Sequence, residues 1–173
     1  MKRLTVMRHA DARWKDPGTE DFARPLNRRG LSGAEAMARR LLELELVPDR
    51  LLASTARRAE QTADIVAREL SLSVRHVQRE DALYLASAAD MLRLIQETGP
   101  RIAHLMVIAH NPGASHLIHL LVPRGGISTL TTAALCSMVF ETDHWKTIGP
   151  ECVKEVQHHA PPSRLFGLFG FAL

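Results

Sequence analysis

Two short apolar runs, Leu4-Thr5-Val6-Met7 and Leu105-Met106-Val107-Ile108-Ala109, each lead into a histidine, His9 by way of Arg8 in the first and His110 directly in the second. Runs of this length read as buried strands. In an open α/β sheet, ligands bind outside the carboxyl ends of parallel strands, so two histidines delivered there from distant parts of the chain can face one pocket. A third segment, Ser54-Thr55-Ala56-Arg57-Arg58-Ala59-Glu60-Gln61-Thr62, brings guanidinium charge to another strand-to-helix junction. Imidazole and arginine with no adjacent carboxylate suggest phosphoryl chemistry.

Periodicity predicts strand 3–8, a long polar loop over 10–29, helix 32–46, strand 50–53, helix 56–70, a short strand near 74–78, helix 88–97, strand 104–109, helix 113–122 and strands near 133–140 and 144–149. This alternation implies an α/β fold of three αβα layers, with a mostly parallel central sheet and helices on both faces. Ser32-Gly33-Ala34-Glu35 has the form of a capping box and places the start of the first helix. Met37, Leu41 and Leu44 then share one face. In helix 56–70, Ala59, Ala63, Val66 and Leu70 point inward, Arg57, Glu60, Asp64 and Arg68 outward, and Arg58 lies in the first turn. Unpaired N–H groups and the positive helix end make that turn an anion site.

At 173 residues and 46% apolar composition, the chain is expected to form one domain, 1–173, around one core. Met1-Lys2-Arg3 is followed by only four uncharged residues, too few for a signal peptide, and no segment approaches the roughly 20 apolar residues of a membrane span. A soluble, cytoplasmic protein is expected. Cys136 and Cys152 lack redox or zinc spacing and read as reduced structural thiols. The net charge of +3 and pI of about 9.2 can steer an anionic substrate. Scarce aromatics and the lack of an interleaved basic run argue against nucleic acid. The apolar tail within 160–173 is expected to pack on the body or in a dimer contact.

Taken together, Arg8-His9-Ala10, the segment from Ser54 to Thr62, and Ile108-Ala109-His110-Asn111-Pro112-Gly113 resemble the histidine phosphatase superfamily, the phosphoglycerate mutase-like group. The resemblance is to its small branch of SixA-type phosphohistidine phosphatases and covers roughly residues 3 to 145. Arg24-Pro25-Leu26-Asn27-Arg28-Arg29-Gly30 matches that branch's RPL-x-x-x-G segment, and Pro48-Asp49 and Ala82-Leu83-Tyr84 match it more loosely. The resemblance implies that His9 is the nucleophile forming a phosphohistidine intermediate, and that Arg8, Arg58 and His110 bind the transferred phosphoryl oxygens, with no metal or other cofactor. A neutral imidazole suits this role, nearby guanidinium charge keeps it unprotonated, and fixed arginines stabilise the equatorial oxygens. The family's S-x-x-x-R-A pattern selects Arg58 over Arg57.

Other positions carry weaker signals. His110 can donate as an imidazolium, and Asn111 either caps the helix after it or touches substrate. Arg24 either reaches the pocket from loop 10–29, a candidate lid, or pairs with Asp21 or Asp16 at the surface. Glu80 and Asp81 are the candidates for a general acid, although neither sits in the motif used by the larger relatives. Without an acid, phosphohistidine is the favoured substrate, because its departing imidazole leaves neutral when the remote nitrogen is protonated. The partner is then a phosphohistidine-bearing protein. A small-molecule phosphomonoesterase or mutase, and a non-catalytic phosphoprotein-binding module, are the alternatives. His116 and His119 lie three apart without a third ligand and read as core or surface rather than metal ligands.

Overall fold

The computed structural model describes residues 1–14, 18–123 and 129–162. Six strands form one sheet: β1 (Lys2–Arg8), β2 (Arg50–Ser54), β3 (Val77–Glu80), β4 (His104–Ala109), β5 (Leu135–Phe140) and β6 (Val153–His159), in the order β3-β2-β4-β1-β5-β6. The first four are mutually parallel, whereas β5 runs antiparallel to β1 and β6 antiparallel to β5. Four helices cover it: α1 (Arg28–Glu43), α2 (Arg57–Glu69), α3 (Ala88–Gln96) and α4 (Gly113–Leu121). The expected three layers and mostly parallel sheet are present.

Strand alternation divides the core. In β4, Leu105, Val107 and Ala109 pack with Leu117 and Ile118 of α4, while Met106 and Ile108 pack with Met37 and Leu41 of α1 and Ala63 and Val66 of α2. All five β4 residues are fully buried, because a central parallel strand has no solvent face. At the amino end of the strands a small polar cluster is enclosed. His104 Nδ1 donates to the Val47 carbonyl at 3.2 Å, its Nε2 lies 2.9 Å from Thr5 Oγ1, and that hydroxyl reaches Ser137 Oγ at 3.2 Å.

Three local expectations are corrected. Helix α1 starts one turn before the Ser32-Glu35 box, because Asn27 takes the N-cap and its side chain accepts from the Gly30 amide at 2.8 Å. Ser32 lies inside the helix, its hydroxyl donating to the Arg28 carbonyl. Gly30 lets that first turn sit flush on the preceding loop: a Cβ there would lie 1.9 Å from the Asp11 carbonyl oxygen. The strand expected near 144–149 is instead a 3₁₀ turn, Trp145–Thr147, that buries Trp145 and Ile148 as wedges under the sheet, with Trp145 Nε1 donating to the Ile102 carbonyl at 2.8 Å. Among the described residues the last strand is β6, a polar strand at the edge of the sheet. The short strand expected near 74–78 is shifted, since Val74–His76 forms a 3₁₀ turn and β3 follows at 77–80. The apolar stretch from Leu165 onward lies outside the described residues. Among the described residues no helix is long and apolar enough to cross a membrane.

Candidate active site

Register places the two histidines side by side. Arg8 of β1 is paired with Ala109 of β4, so the next residues, His9 and His110, emerge together at the carboxyl edge. The His9 amide donates to the Ala109 carbonyl at 3.1 Å, and the two rings lie 5.0 Å apart between centroids. Strand β2, on the other side of β4, ends in Ser54, whose Oγ lies 2.8 Å from His110 Nε2. Helix α2 begins immediately afterwards and carries Arg58 in its first turn. Arg58 is buried and lines the cleft beside His9, whereas its neighbour Arg57 is exposed and does not.

Arg8, His9, Asp11, Ala12, Asp21, Arg24, Arg58, Leu85, His110, Asn111 and Thr132 surround one open cleft of about 280 Å³. All six residues singled out from the sequence, Arg8, His9, Arg24, Arg58, His110 and Asn111, line it. The His9 tautomer is fixed: Nδ1–H donates to the Ala10 carbonyl at 2.8 Å, and Nε2 accepts from Arg58 Nε–H at 3.2 Å. Burial, followed by the Arg58, Arg8 and Arg24 charges, pushes the His9 pKa from 6.5 down to about 4, against an upward pull from the Ala10 carbonyl. Burial and then His9 and Arg58 push His110 down to about 3, so its imidazole is neutral at physiological pH rather than the imidazolium considered from sequence. Among the described residues, His110 Nδ1 and Arg8 Nε are buried without hydrogen-bond partners. Buried polar groups are ordinarily paired, so these two donors or acceptors are spare capacity at the cleft.

Asn111 caps nothing by a side-chain bond to an amide. Its Nδ2 donates to the Leu130 carbonyl at 2.8 Å and its Oδ1 accepts from Ser115 Oγ at 2.8 Å, while Ser115 Oγ also accepts from the Leu130 amide. Arg8 NH1 donates to the same Leu130 carbonyl at 3.0 Å. The connection before β5 is thereby tied to two cleft residues.

Sequence reasoning missed the acidic part of the site. Asp21, in the loop after β1, pairs with Arg58 and with Arg24, both at 2.8 Å, so the two readings of Arg24 hold together. That loop is fastened to α2 rather than loose: the Arg57 amide donates to the Phe22 carbonyl, Leu26 to Gln61 Oε1, and Ala10 to Thr62 Oγ1. Tyr84 also escaped notice as a site residue; its hydroxyl donates to Asp21 Oδ2 at 3.1 Å and its ring stands edge-on to His110, 5.6 Å away. Only the side chain's place within Ala82-Leu83-Tyr84 hinted at it. Neither Glu80 nor Asp81 lines the cleft, and Glu80 Oε1 instead accepts from the Ala82 amide of the turn after β3. His116 and His119 are exposed on α4. Among the described residues no three His, Cys, Asp or Glu side chains are grouped to hold a metal ion.

Two strand-end histidines and three arginines thus share one cleft, and comparison with known sequences gives the family. The sequence model of the histidine phosphatase superfamily, branch 1, matches residues 4–83. The chain belongs to that superfamily. It is 30% identical over 168 residues to the uncharacterized protein Rv1276c of Mycobacterium tuberculosis, covering 90% of this chain and 99% of that one. It is 27% identical over 153 residues to the phosphohistidine phosphatase SixA of Escherichia coli, covering 80% of this chain and 86% of that one. The fold superposes on the protein histidine phosphatase SixA complexed with tungstate with a TM-score of 0.76 at 25% identity, over 92% of this chain and 97% of that one. The sheet order and helical layers are thus those of a phosphoglycerate mutase-like histidine phosphatase.

Proposed function

We propose that this histidine phosphatase is a cytoplasmic phosphohistidine phosphatase that works through a phosphoenzyme on His9. The observation that carries the reading is the His9 ring itself: Nδ1 is committed to the Ala10 carbonyl, and the unprotonated Nε2, whose lone pair accepts from Arg58 Nε–H, lies on a cleft carrying Arg8, Arg24, Arg58 and His110, so attack requires that N–H to pass from Nε2 to a phosphoryl oxygen. Burial keeps that lone pair unprotonated at neutral pH. In the first step Nε2 of His9 attacks phosphorus, the bond to the substrate nitrogen breaks, and its electron pair stays on the departing imidazole. That imidazole leaves neutral because its remote nitrogen holds a proton. In the second step water attacks the phosphoenzyme and returns His9 with inorganic phosphate. Arg8 and Arg58, with the spare donors noted above, stabilise charge on the equatorial oxygens. An arriving phosphoryl dianion raises the His110 pKa, so that it can donate from Nδ1. The reading assigns no step to a metal.

A protein-borne phosphohistidine suits the open mouth. Leu85 on the cleft wall is 59% exposed, and Phe22, next to Asp21 and packed edge-on against Tyr84, is 41% exposed. Such apolar groups at a rim favour contact with a protein surface over enclosure of a small molecule. The two free cysteines, Cys136 and Cys152, are in keeping with a reducing compartment.

Rapid quench with a phosphorylated histidine phosphotransfer domain tests the reading. Acid-labile, base-stable phosphate on His9, and a kcat/KM for that substrate far above that for sugar phosphates, are expected. Turnover retained in His9→Ala, or a preference for the esters, overturns it.

A further inference from the structure

Both oxygens of the Asp21 carboxylate are occupied. Oδ1 accepts from Arg24 Nε at 2.9 Å and lies 2.8 Å from Arg24 NH2; Oδ2 accepts from Arg58 NH2 at 2.8 Å and from Tyr84 Oη–H at 3.1 Å. The Asp21 backbone carbonyl takes a further bond from Arg58 NH1 at 2.6 Å. A carboxylate offers about four lone-pair positions, and here four donors meet them. Three of Arg58's five N–H groups are spent on His9 Nε2 and on the two Asp21 oxygens, leaving one N–H on each terminal nitrogen.

We propose that Asp21 is a positioning residue of the phosphoryl site, which aims Arg58, Arg24 and Tyr84 at once and takes no part in proton transfer. This deepens the reading above and rests on the cleft being a phosphoryl site. Arg58 sits in the first turn of α2, where the helix end repels it, and its guanidinium is buried. Without a counter-charge it would turn toward solvent. The double contact with Asp21 fixes the plane of the fork, and that plane sets both the Nε contact to His9 and the direction of the two remaining N–H groups. Through Tyr84, the same carboxylate braces the ring packed against His110. An acid would need a proton on one Asp21 oxygen, and each oxygen already faces donors. Those donors hold the carboxyl at about 2 although burial works in the opposite direction.

The test uses the full-length protein with Asp21→Asn and Tyr84→Phe. Three quantities are read: kcat/KM for phosphoimidazole and for a simple alkyl phosphate, affinity for inorganic phosphate by calorimetry, and Tm. Positioning predicts that Asp21→Asn lowers kcat/KM for both substrates by a similar factor, ten- to a hundredfold, and weakens phosphate binding. Tyr84→Phe should do the same to a lesser degree, about threefold. Loss of the alkyl phosphate activity alone identifies Asp21 as an acid and overturns the proposal. Unchanged phosphate affinity in the folded variant, with activity falling only as Tm falls, identifies a purely structural residue and also overturns it. An inactive wild type that still binds phosphate refutes the phosphatase reading, and the binding measurements on the variants still decide the role of Asp21.

Discussion

Arg58 Nε–H meets Nε2 of His9 across 3.2 Å, so one buried arginine holds the ring nitrogen that faces the cleft. Arg58→Ala and Arg58→Lys should each lower kcat/KM by about 10²–10³, since an ammonium cannot reproduce a fork aimed at two partners. The His9 pKa should rise from about 4 in both variants, most in the alanine one, and NMR titration of the ring measures it. An unmoved pKa in Arg58→Ala would show that burial alone sets it.

Ser54 orients His110 through the 2.8 Å contact to Nε2, which leaves Nδ1 toward the cleft. Removing one neutral hydrogen bond costs about 1 kcal/mol, so Ser54→Ala should lose about fivefold in kcat/KM with little change in Tm. His110→Ala removes the donor itself and should cost at least ten times more. Steady-state kinetics on the two variants checks the order.

Acid should unfold the protein through buried neutral histidines. His9 and His104 have folded pKa values of about 4 and His110 of about 3, against 6.5 for a free ring. Between those limits the unfolded chain binds more protons than the folded one, so stability is full above pH 6.5 and falls as pH drops toward 4. For His104 alone the loss is on the order of 3 kcal/mol. Urea titrations at pH 7, 6, 5 and 4 should show the decline, and His104→Gln should make it shallower without changing the chemistry at the opposite end of the sheet.

Gly30→Ala tests the seat of α1. The added methyl would fall 1.9 Å from the Asp11 carbonyl oxygen, a backbone atom that cannot swing aside. About 2 kcal/mol or more of destabilisation is expected, a Tm decrease on the order of 5 °C. Because Asp11 lines the cleft, a fall in phosphate affinity should accompany it.

Treatment with a chelator should leave kcat/KM for phosphohistidine unchanged within error. A drop restored by a divalent ion would assign a metal a part in the reaction.

The parallel half of the fold was legible because central strands are apolar on both faces and their ends carry the histidines. Strand 104–109 needed no correction for that reason. The edge was not legible: Val153–His159 is polar, paired among the described residues on one side only, and carries no alternation strong enough to outweigh the apolar Trp145 and Ile148, which serve as wedges. The start of α1 was misplaced because Ser32 and Glu35 satisfy a capping pattern that Asn27 preempts from one turn earlier. In the site, residues next to strand ends could be located from sequence, since register carries them. Asp21 could not, because its position depends on how a long loop folds back over α2, and no periodicity encodes that path.

The two cleft histidines stand at the ends of adjacent, hydrogen-bonded strands, whereas Asp21, Phe22 and Arg24 come from a surface excursion and Leu85 from a turn with positive φ. The excursion therefore reaches both the mouth of the cleft and, through Asp21, the Arg58 fork beside His9. Rebuilding the excursion would reshape the outer wall of the cleft and release the Arg58 fork, while the two imidazoles stay in place until the ladder between Arg8 and Ala109 is itself sheared.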